Sequence, residues 1–189
     1  MANLITGAAG SAHITPLLDS TWHRGVVGHD NCILPVYNKM APTVQSNQEV
    51  RIGSGVCMLE GRFIEIDLST YDPVTIPNGS QGYNRIDYIC GKITQNGNGT
   101  QSFEWRVVSG ESTTGDAEPP EDYCDEELNP IQVGSLDAGN ATVEYPFFQV
   151  TLEGINITEA AIVADVMIDD CSMTEAEYDE LAALLGISS

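Results

Sequence analysis

Residues 50–94 constrain the fold of this chain most strongly, because apolar and β-branched side chains recur there with a period close to two. Turn signals interrupt the segment at four places: Gly53-Ser54-Gly55, Asp72-Pro73, Asn78-Gly79 and Gln81-Gly82. We expect one strand that contains Gly61-Arg62, a second that closes in Asn78-Gly79, and a third that begins at Arg85. A chain with this pattern folds mainly into strands.

The strongest short-range signal follows this segment, at Asn96-Gly97-Asn98-Gly99. A tight hairpin needs residues that tolerate positive φ between two apolar runs, so residues 86–93 are predicted to pair with residues 103–108. Further strands are predicted at residues 32–37, 131–133, 142–152 and 155–157, and residues 160–168 fit a strand or a helix. A loop is predicted at residues 38–47. A long exposed excursion is predicted at residues 111–129.

Two short helices are expected, one near each end of the sequence. The first begins at Thr15-Pro16, presents Leu17, Leu18, Thr21 and Trp22 on an apolar face, and ends by Gly25 or Gly28. The second begins at the capping box Thr174-Glu175-Ala176-Glu177 and ends before Gly186. Its side chains Tyr178, Leu181 and Leu185 form one stripe that must dock, either on the chain's own sheet or across a subunit boundary.

These elements predict a mainly β fold, an antiparallel β-sandwich or barrel-like domain with a short N-terminal helix and a short C-terminal helix. The expected division is a flexible N-terminal arm at residues 1–12, a single β-rich domain at residues 13–171, and the C-terminal helix at residues 172–189. A length of 189 residues is sufficient for one sizeable core.

The charge is distributed unevenly along the sequence. All seven basic residues lie in the first 106 positions, which carry a net charge of −2, whereas the other 83 positions hold 19 acidic residues and no lysine or arginine. Nucleic acids and anionic membranes attract lysine and arginine, so neither is an expected partner, and no apolar run is long enough for membrane insertion. The acidic part is either a solubilising surface or a face that meets a basic partner or Ca²⁺.

Metal-ligating residue types are present, but their spacing does not match a known metal site. His13, His23 and His29 match no zinc pattern, and the five cysteines are far apart, which predicts reduced, mostly buried thiols with one disulfide as the alternative. The carboxylates of residues 122–127 and Asp169-Asp170 are Ca²⁺-ligand types without the spacing of a calcium loop. We therefore expect no metal or other cofactor and leave Ca²⁺ open.

No catalytic motif is found, so an enzyme is not expected. Arg85 and Asp87 are two residues apart on a predicted strand and therefore share one face, while Ile86, Tyr88 and Cys90 point to the other. We expect Arg85 and Asp87 to form a structural ion pair and to serve in structure or assembly, as we expect of Tyr178, Leu181 and Leu185.

Several motifs resemble a family of tail and baseplate structural proteins of phages and prophages from gut bacteria. They are Ile5-Thr6-Gly7, His13-Ile14-Thr15, Asn38-Lys39-Met40-Ala41-Pro42, the 50–94 block with Gly82-Tyr83-Asn84-Arg85-Ile86-Asp87, and Tyr145-Pro146-Phe147-Phe148-Gln149-Val150-Thr151-Leu152. The resemblance implies a tail-tip or baseplate subunit of the virion, made in the host cytoplasm, that forms a homotrimer and contacts other tail proteins. Such a subunit is structural or an adaptor, or it adheres to the host. Because no fibre or receptor domain follows residue 189, we expect the structural or adaptor role.

The alternative is a stand-alone carbohydrate- or receptor-binding β-sandwich, with a host surface glycan as its ligand. Such a module stacks exposed aromatic rings on sugars. Tyr83, Tyr123 and Tyr145, which lie beside carboxylates, are the candidates.

Overall fold

The computed structural model describes residues 16–97 and 99–167. This part of the chain is mainly β, with one α-helix and a short 3₁₀ helix at Glu121–Tyr123. The elements are α1 Pro16–Val27, β1 Asn31–Ile33, β2 Pro42–Ser46, β3 Glu49–Leu59, β4 Arg62–Thr75, β5 Asn84–Gln95, β6 Gln101–Ser109, β7 Val133–Gly134, β8 Thr142–Glu153 and β9 Asn156–Ile162. The predicted arm at residues 1–12 and the predicted helix at residues 172–189, with Tyr178, Leu181 and Leu185, lie outside the described residues.

The strands form two antiparallel sheets. In the first sheet, β3 is central and pairs with β4 along one edge and with β1 and β2 along the other. In the second sheet, β5 lies between β6 and β8, and the far edge of β8 pairs with β7 and β9. The mainly β fold and the N-terminal helix are confirmed. The two sheets do not close on each other, so the barrel-like alternative was wrong.

Both sheets contribute to one apolar core, as the period-two pattern predicts. Ile52 of β3, Ile89 of β5 and Phe148 of β8 are fully buried in it. Trp105 packs edge-on against Phe148 at 5.6 Å between ring centroids, and its indole Nε1 donates to Asp72 Oδ2 of the other sheet at 3.0 Å. The two sheets are therefore joined by apolar burial and by a hydrogen bond that orients the tryptophan.

The second sheet is also covered on part of its outer face. Tyr88 and Cys90 of β5 form a smaller buried cluster there with Tyr123 of the 3₁₀ helix. Residues 111–129 are therefore not simply an exposed excursion, since the segment folds back and inserts Tyr123. An aromatic side chain that buries apolar area supplies the free energy that orders such a loop.

The NG-rich hairpin is confirmed, with Asp87 opposite Ser109 and Ile93 opposite Phe103. Strand boundaries elsewhere differ from the prediction. The predicted loop at residues 38–47 contains β2, β1 ends at Ile33 instead of reaching residue 37, and residues 156–162 continue as strand β9. Asp72-Pro73 lies inside β4 and not in a turn, because β4 pairs only with β3 and proline is tolerated on an edge strand.

The predicted strand that contains Gly61-Arg62 is two strands, because Glu60-Gly61 is the turn of the β3–β4 hairpin. Both turn residues have positive φ, +49° and +76°, as a two-residue hairpin of this type requires. Glycine adopts this conformation without strain, whereas glutamate seldom does. Glu60 is tolerated there because its carboxylate is held by Arg62 and by residues 135–136.

The cysteines of the described residues are free thiols, as predicted. Cys32, Cys57 and Cys90 are buried and Cys124 is partly buried, while Cys171 lies outside the described part of the chain. Burial raises the pKa of the Cys32 thiol to about 11, so this group stays protonated at neutral pH. Buried protonated thiols act as small apolar side chains.

Candidate functional site

Helix α1 docks on the β3–β4 turn through its polar side. A Cβ at Gly61 would lie 2.2 Å from the backbone oxygen of Ser20, so the helix backbone sits directly on the turn. Nδ1 of His23 lies 2.9 Å from the carbonyl oxygen of Gly61. Because a carbonyl only accepts, His23 donates this hydrogen bond from Nδ1. The helix is thus fixed by close backbone approach and by hydrogen bonding.

The carboxylate of Glu60 organises the loop on the other side of the same turn. It is 3% exposed and accepts hydrogen bonds from the Ser135 hydroxyl and from the backbone N–H of Leu136 at 3.0 Å. Nη1 of Arg62 donates to it at 3.2 Å. These contacts satisfy the oxygen atoms of the buried carboxylate and offset the unfavourable φ of Glu60.

A chain of ion pairs then connects this loop to the end of α1. Asp137 accepts from Arg62 Nη2 at 3.1 Å and from Arg24 Nη2 at 2.6 Å. All three side chains are at least three-quarters buried, so solvent screens these pairs less than fully exposed ones. The last turn of α1, the hairpin turn and the loop therefore form one polar cluster.

Ser20 and His23 face the turn, Leu18 and Val27 are partly buried, and the other large apolar side chains of α1 are exposed. Trp22 is 64% exposed and Val26, one turn later, is 66% exposed. Phe63 of β4 is also exposed, and its ring lies 4.4 Å from the ring of His23, which in turn contacts Trp22. We call Trp22, His23, Val26 and Phe63 the α1 patch. A surface helix normally buries its apolar side, and this one leaves most of its large apolar side chains exposed.

The predicted apolar face of the first helix is therefore only partly right. Leu17, Thr21 and Trp22 are exposed and Leu18 is partly buried, although the helix itself lies where the sequence predicts. The amino acid pattern identifies an apolar stripe but does not determine which side of the helix docks. That choice follows from the contacts of Ser20 and Gly61, which have no local sequence signature.

Arg85 and Asp87 form the predicted ion pair. Arg85 Nε donates to Asp87 Oδ1 at 2.8 Å and Nη2 donates to Oδ2 at 2.9 Å, and Asp87 is fully buried. Burial raises the pKa of Asp87, while Arg85 and the N–H of Gly110 act in the opposite direction. Arg85 also donates to the carbonyl oxygen of Pro77 at 2.7 Å, so the pair holds two loops against β5.

A second network, in which Glu144 and Tyr123 are buried and Arg106 is half exposed, was not predicted from the sequence. Nη1 of Arg106 donates to both carboxylate oxygens of Glu144, at 2.7 and 2.6 Å, and the Tyr123 hydroxyl donates to Glu144 Oε2 at 2.6 Å. Burial, followed by this hydrogen bond to Glu144, raises the pKa of Tyr123. These residues come from three distant segments, and only the strand register brings them together.

The candidate metal ligands are used in other ways or lie outside the described residues. Asp125 Oδ1 accepts from the backbone N–H of Glu127 and of Asn129, both at 2.9 Å, which closes a local turn. These hydrogen bonds lower the pKa of Asp125. Within residues 16–97 and 99–167, no three His, Cys, Asp or Glu side chains come together as a metal site. His13 and Asp169-Asp170 are outside these ranges.

Two of the three tyrosines that were candidates for stacking on sugar rings are buried and cannot contact a sugar in the folded chain. Tyr123 and Tyr145 are buried, because one covers the outer face of the second sheet and the other packs edge-on against Phe147 in the core. Only Tyr83 is substantially exposed.

The chain was compared with known proteins. No family model matches it, and no curated protein matches it significantly. In the described residues, no helix has both the length and the apolar character needed to cross a membrane.

Proposed function

We propose that this chain is a structural or adaptor subunit of a phage tail tip or baseplate and that it assembles through the α1 patch with copies of itself as a homotrimer. The observation that carries the proposal is the orientation of α1, which docks Ser20 and His23 and leaves Trp22 and Val26 exposed. The phage assignment rests on the sequence motifs named above. The proposed role is assembly and involves no catalysis.

The α1 patch is chemically suited to an interface. Trp22, Val26 and Phe63 expose large apolar surfaces, and the ring of His23 contacts the rings of Trp22 and Phe63. Burying each large apolar side chain contributes roughly 1.5–3 kcal/mol, so the patch supplies several kcal/mol per contact. Tryptophan and phenylalanine are also enriched at the centres of interfaces.

The charge distribution favours self-association at this patch. Each chain carries a net charge of −21, so identical chains repel one another. The patch belongs to the first 106 residues, whose net charge is −2, whereas the remaining residues hold nearly all of the excess negative charge. Beside the patch, the carboxylates of Glu60 and Asp137 are paired with Arg62 and Arg24, so copies that meet there bring few unpaired negative charges together.

We also infer that the two sheets form a sandwich, since residues from both contribute to the same core cluster. Such a scaffold holds the α1 patch rigidly on one side through the Glu60 and Asp137 contacts. Other tail proteins would then bind surfaces that the trimer leaves free.

Light scattering coupled to size exclusion tests the assembly. The natural chain is expected to elute at three times 20.3 kDa, and the double variant Trp22→Ser, Phe63→Ser at one chain mass. The control Tyr83→Ser removes an exposed aromatic residue outside the patch and should retain the trimer. A natural chain that is monomeric at tens of micromolar (~20–50 μM, well above a micromolar Kd) would contradict the proposal. So would a double variant of unchanged mass.

The phage assignment is tested separately. Mass spectrometry of purified tail particles from a strain that encodes this chain should detect its peptides in constant ratio to the other tail proteins. If purified particles lack it while the chain is present in the same cells, the virion assignment is wrong.

A further inference from the structure

The outer face of the first sheet contains a cleft of about 570 Å³. Its floor is formed by Ala41, Gly53 and Ser54, which are small, and its rim includes Tyr37, Leu68 and Tyr71. A volume of this size lies within the range of roughly 300–1,000 Å³ that is typical of small-molecule sites.

The cleft exists because the central strand is irregular at its floor. In a regular strand, residues an odd number of positions apart point to opposite faces. On β3, Ile52 and Cys57 are an odd number of residues apart, yet both face the core. One extra residue is therefore accommodated between them, at Gly53-Ser54-Gly55. Against β4 the pairing moves from Gly53 opposite Tyr71 to Gly55 opposite Ile66. Residues 67–70 of β4 therefore bulge outward and form one side of the cleft.

Both ends of this irregularity are glycines that a neighbouring segment approaches closely. A Cβ at Gly53 would lie 2.6 Å from the side-chain amide nitrogen of Asn38, and a Cβ at Gly55 would lie 2.6 Å from the backbone nitrogen of Met40. The segment around Asn38 is thereby held directly against β3, where the carbonyl of Ser54 accepts from the N–H of Asn38 at 3.0 Å.

Backbone strain is concentrated around the cleft. In the described part of the chain, six non-glycine residues have positive φ, and four of them are Tyr37, Lys39, Met40 and Ser69. These four lie in the two segments that border the cleft. Each such conformation is unfavourable and persists only where the surroundings enforce it, as at ligand sites.

The side chains that line the cleft define the chemistry of its ligand. Tyr37 and Tyr71 are half exposed, and the guanidinium of Arg51 lies 4.4 Å from the ring centroid of Tyr71, which restrains that ring. Within the described residues, the side chains of Asn38 and Gln45 have no hydrogen-bond partner. Aromatic rings together with free amides suit a molecule that has both an apolar C–H face and hydroxyl groups.

Charge further limits the ligand to a neutral one. Arg51 is the only charged side chain that lines the cleft among the described residues, and Glu49 already pairs with it at 2.8 Å. In this part of the chain, no carboxylate and no free basic group lines the cleft, and Glu65 beside it already accepts a hydrogen bond from the Tyr37 hydroxyl at 3.0 Å. An added peptide strand is excluded here because β3 is already paired on both edges.

The geometry points to a binding site for a neutral saccharide in this cleft, with Tyr37 and Tyr71 contacting the sugar ring and Asn38 and Gln45 hydrogen-bonding its hydroxyl groups. Tyr83, Tyr123 and Tyr145 have no part in this site. The site lies on the outer sheet face, and its residues are different from those of the α1 patch.

Binding is tested with a printed array of neutral, sialylated and sulfated oligosaccharides, followed by saturation-transfer NMR on the saccharides retained. We expect neutral saccharides to be retained and their ring C–H protons to receive the strongest transfer. Tyr71→Ala and Gln45→Ala should each weaken binding by about tenfold, as expected for the loss of an aromatic or polar contact. The matched control Tyr83→Ala, an exposed tyrosine outside the cleft, should bind like the natural chain.

Circular dichroism of each variant confirms that the sheet is intact, and Gln45→Ala alters an exposed side chain that the fold does not need. Retention of no neutral saccharide, or retention of charged saccharides only, would overturn the inference. Equal binding by the natural chain, Tyr71→Ala and Gln45→Ala would also overturn it. A monomeric chain that still binds a saccharide would contradict the assembly proposal and leave this one standing.

Discussion

At the scale of single residues, Gly61 meets two independent requirements. Its φ of +76° lies in the left-handed region that glycine tolerates best, and its missing Cβ allows the backbone of Ser20 to approach. Gly82 meets only the first requirement, since its φ is +81° but a Cβ added there would meet open space. A substitution at Gly82 therefore measures the energetic cost of the left-handed backbone alone, and a substitution at Gly61 adds the cost of displacing α1.

We predict that Gly82→Ala lowers the free energy of unfolding by about 1–2 kcal/mol, the usual penalty for a left-handed non-glycine residue. Gly61→Ala should lower it by at least about 1 kcal/mol more, because the added methyl group collides with the backbone of α1. Urea denaturation of both variants measures the difference. Equal losses in the two variants would show that α1 does not rest on Gly61 in solution.

At the scale of elements, the position of α1 depends on a carboxylate that lies outside the helix. Glu60 fixes the loop at residues 135–137, and Asp137 of that loop pairs with Arg24 in the last turn of α1. Glu144 offers a close comparison, because it is also a buried carboxylate but holds Arg106 and Tyr123 on the other sheet. Replacing Glu60 by a neutral residue should loosen the loop at residues 135–137, whereas replacing Glu144 should loosen the segment around Tyr123.

We predict that Glu60→Gln speeds hydrogen exchange at the amides of Leu136 and Asp137, because an amide replaces the charged acceptor. The loss of one charge-assisted hydrogen bond contributes about 2 kcal/mol. Glu144→Gln should leave these amides unchanged and speed exchange in residues 121–124. Exchange measured by mass spectrometry distinguishes the two patterns. The same exchange rates in both variants would contradict the role assigned to Glu60.

The same elements show what the sequence could and could not predict. The β5–β6 hairpin was predictable because Asn96-Gly97 and Gly99 carry their turn preference locally. The Glu60-Gly61 turn was missed because glutamate is stabilised there by partners about 75 residues away. The Arg85–Asp87 pair follows from strand periodicity, whereas the Arg106–Glu144 pair needs the register of three strands. The α1 patch depends in the same way on a tertiary contact.

At the scale of the whole molecule, burial keeps protons on several thiols and phenols. It raises the pKa of Tyr88 and of Tyr145 to about 12 and that of Cys32 to about 11, and it raises those of Cys57 and Cys90 further. The unfolded chain releases these protons near the ordinary values, 9.0 for thiols and 10.0 for tyrosines. The folded chain therefore binds more protons above about pH 9, and its stability falls as pH rises.

We predict that the urea midpoint is lower at about pH 10.5 than at about pH 7.5, with reductant present throughout. Cys57→Ala removes one buried thiol and should reduce the dependence of the midpoint on pH. A midpoint that is equal at the two pH values would contradict the burial of these groups in solution.

In the proposed assembly, the α1 patch becomes buried between copies of the chain. Hydroxyl-radical footprinting with mass spectrometry measures this burial by comparing the oxidation of Trp22 in dilute and in concentrated samples. We predict that Trp22, 64% exposed in the single chain, becomes protected as the mass rises to the trimer, while Tyr83 stays reactive. Assembly with Trp22 still fully reactive, or no assembly at any concentration, would contradict burial of the α1 patch.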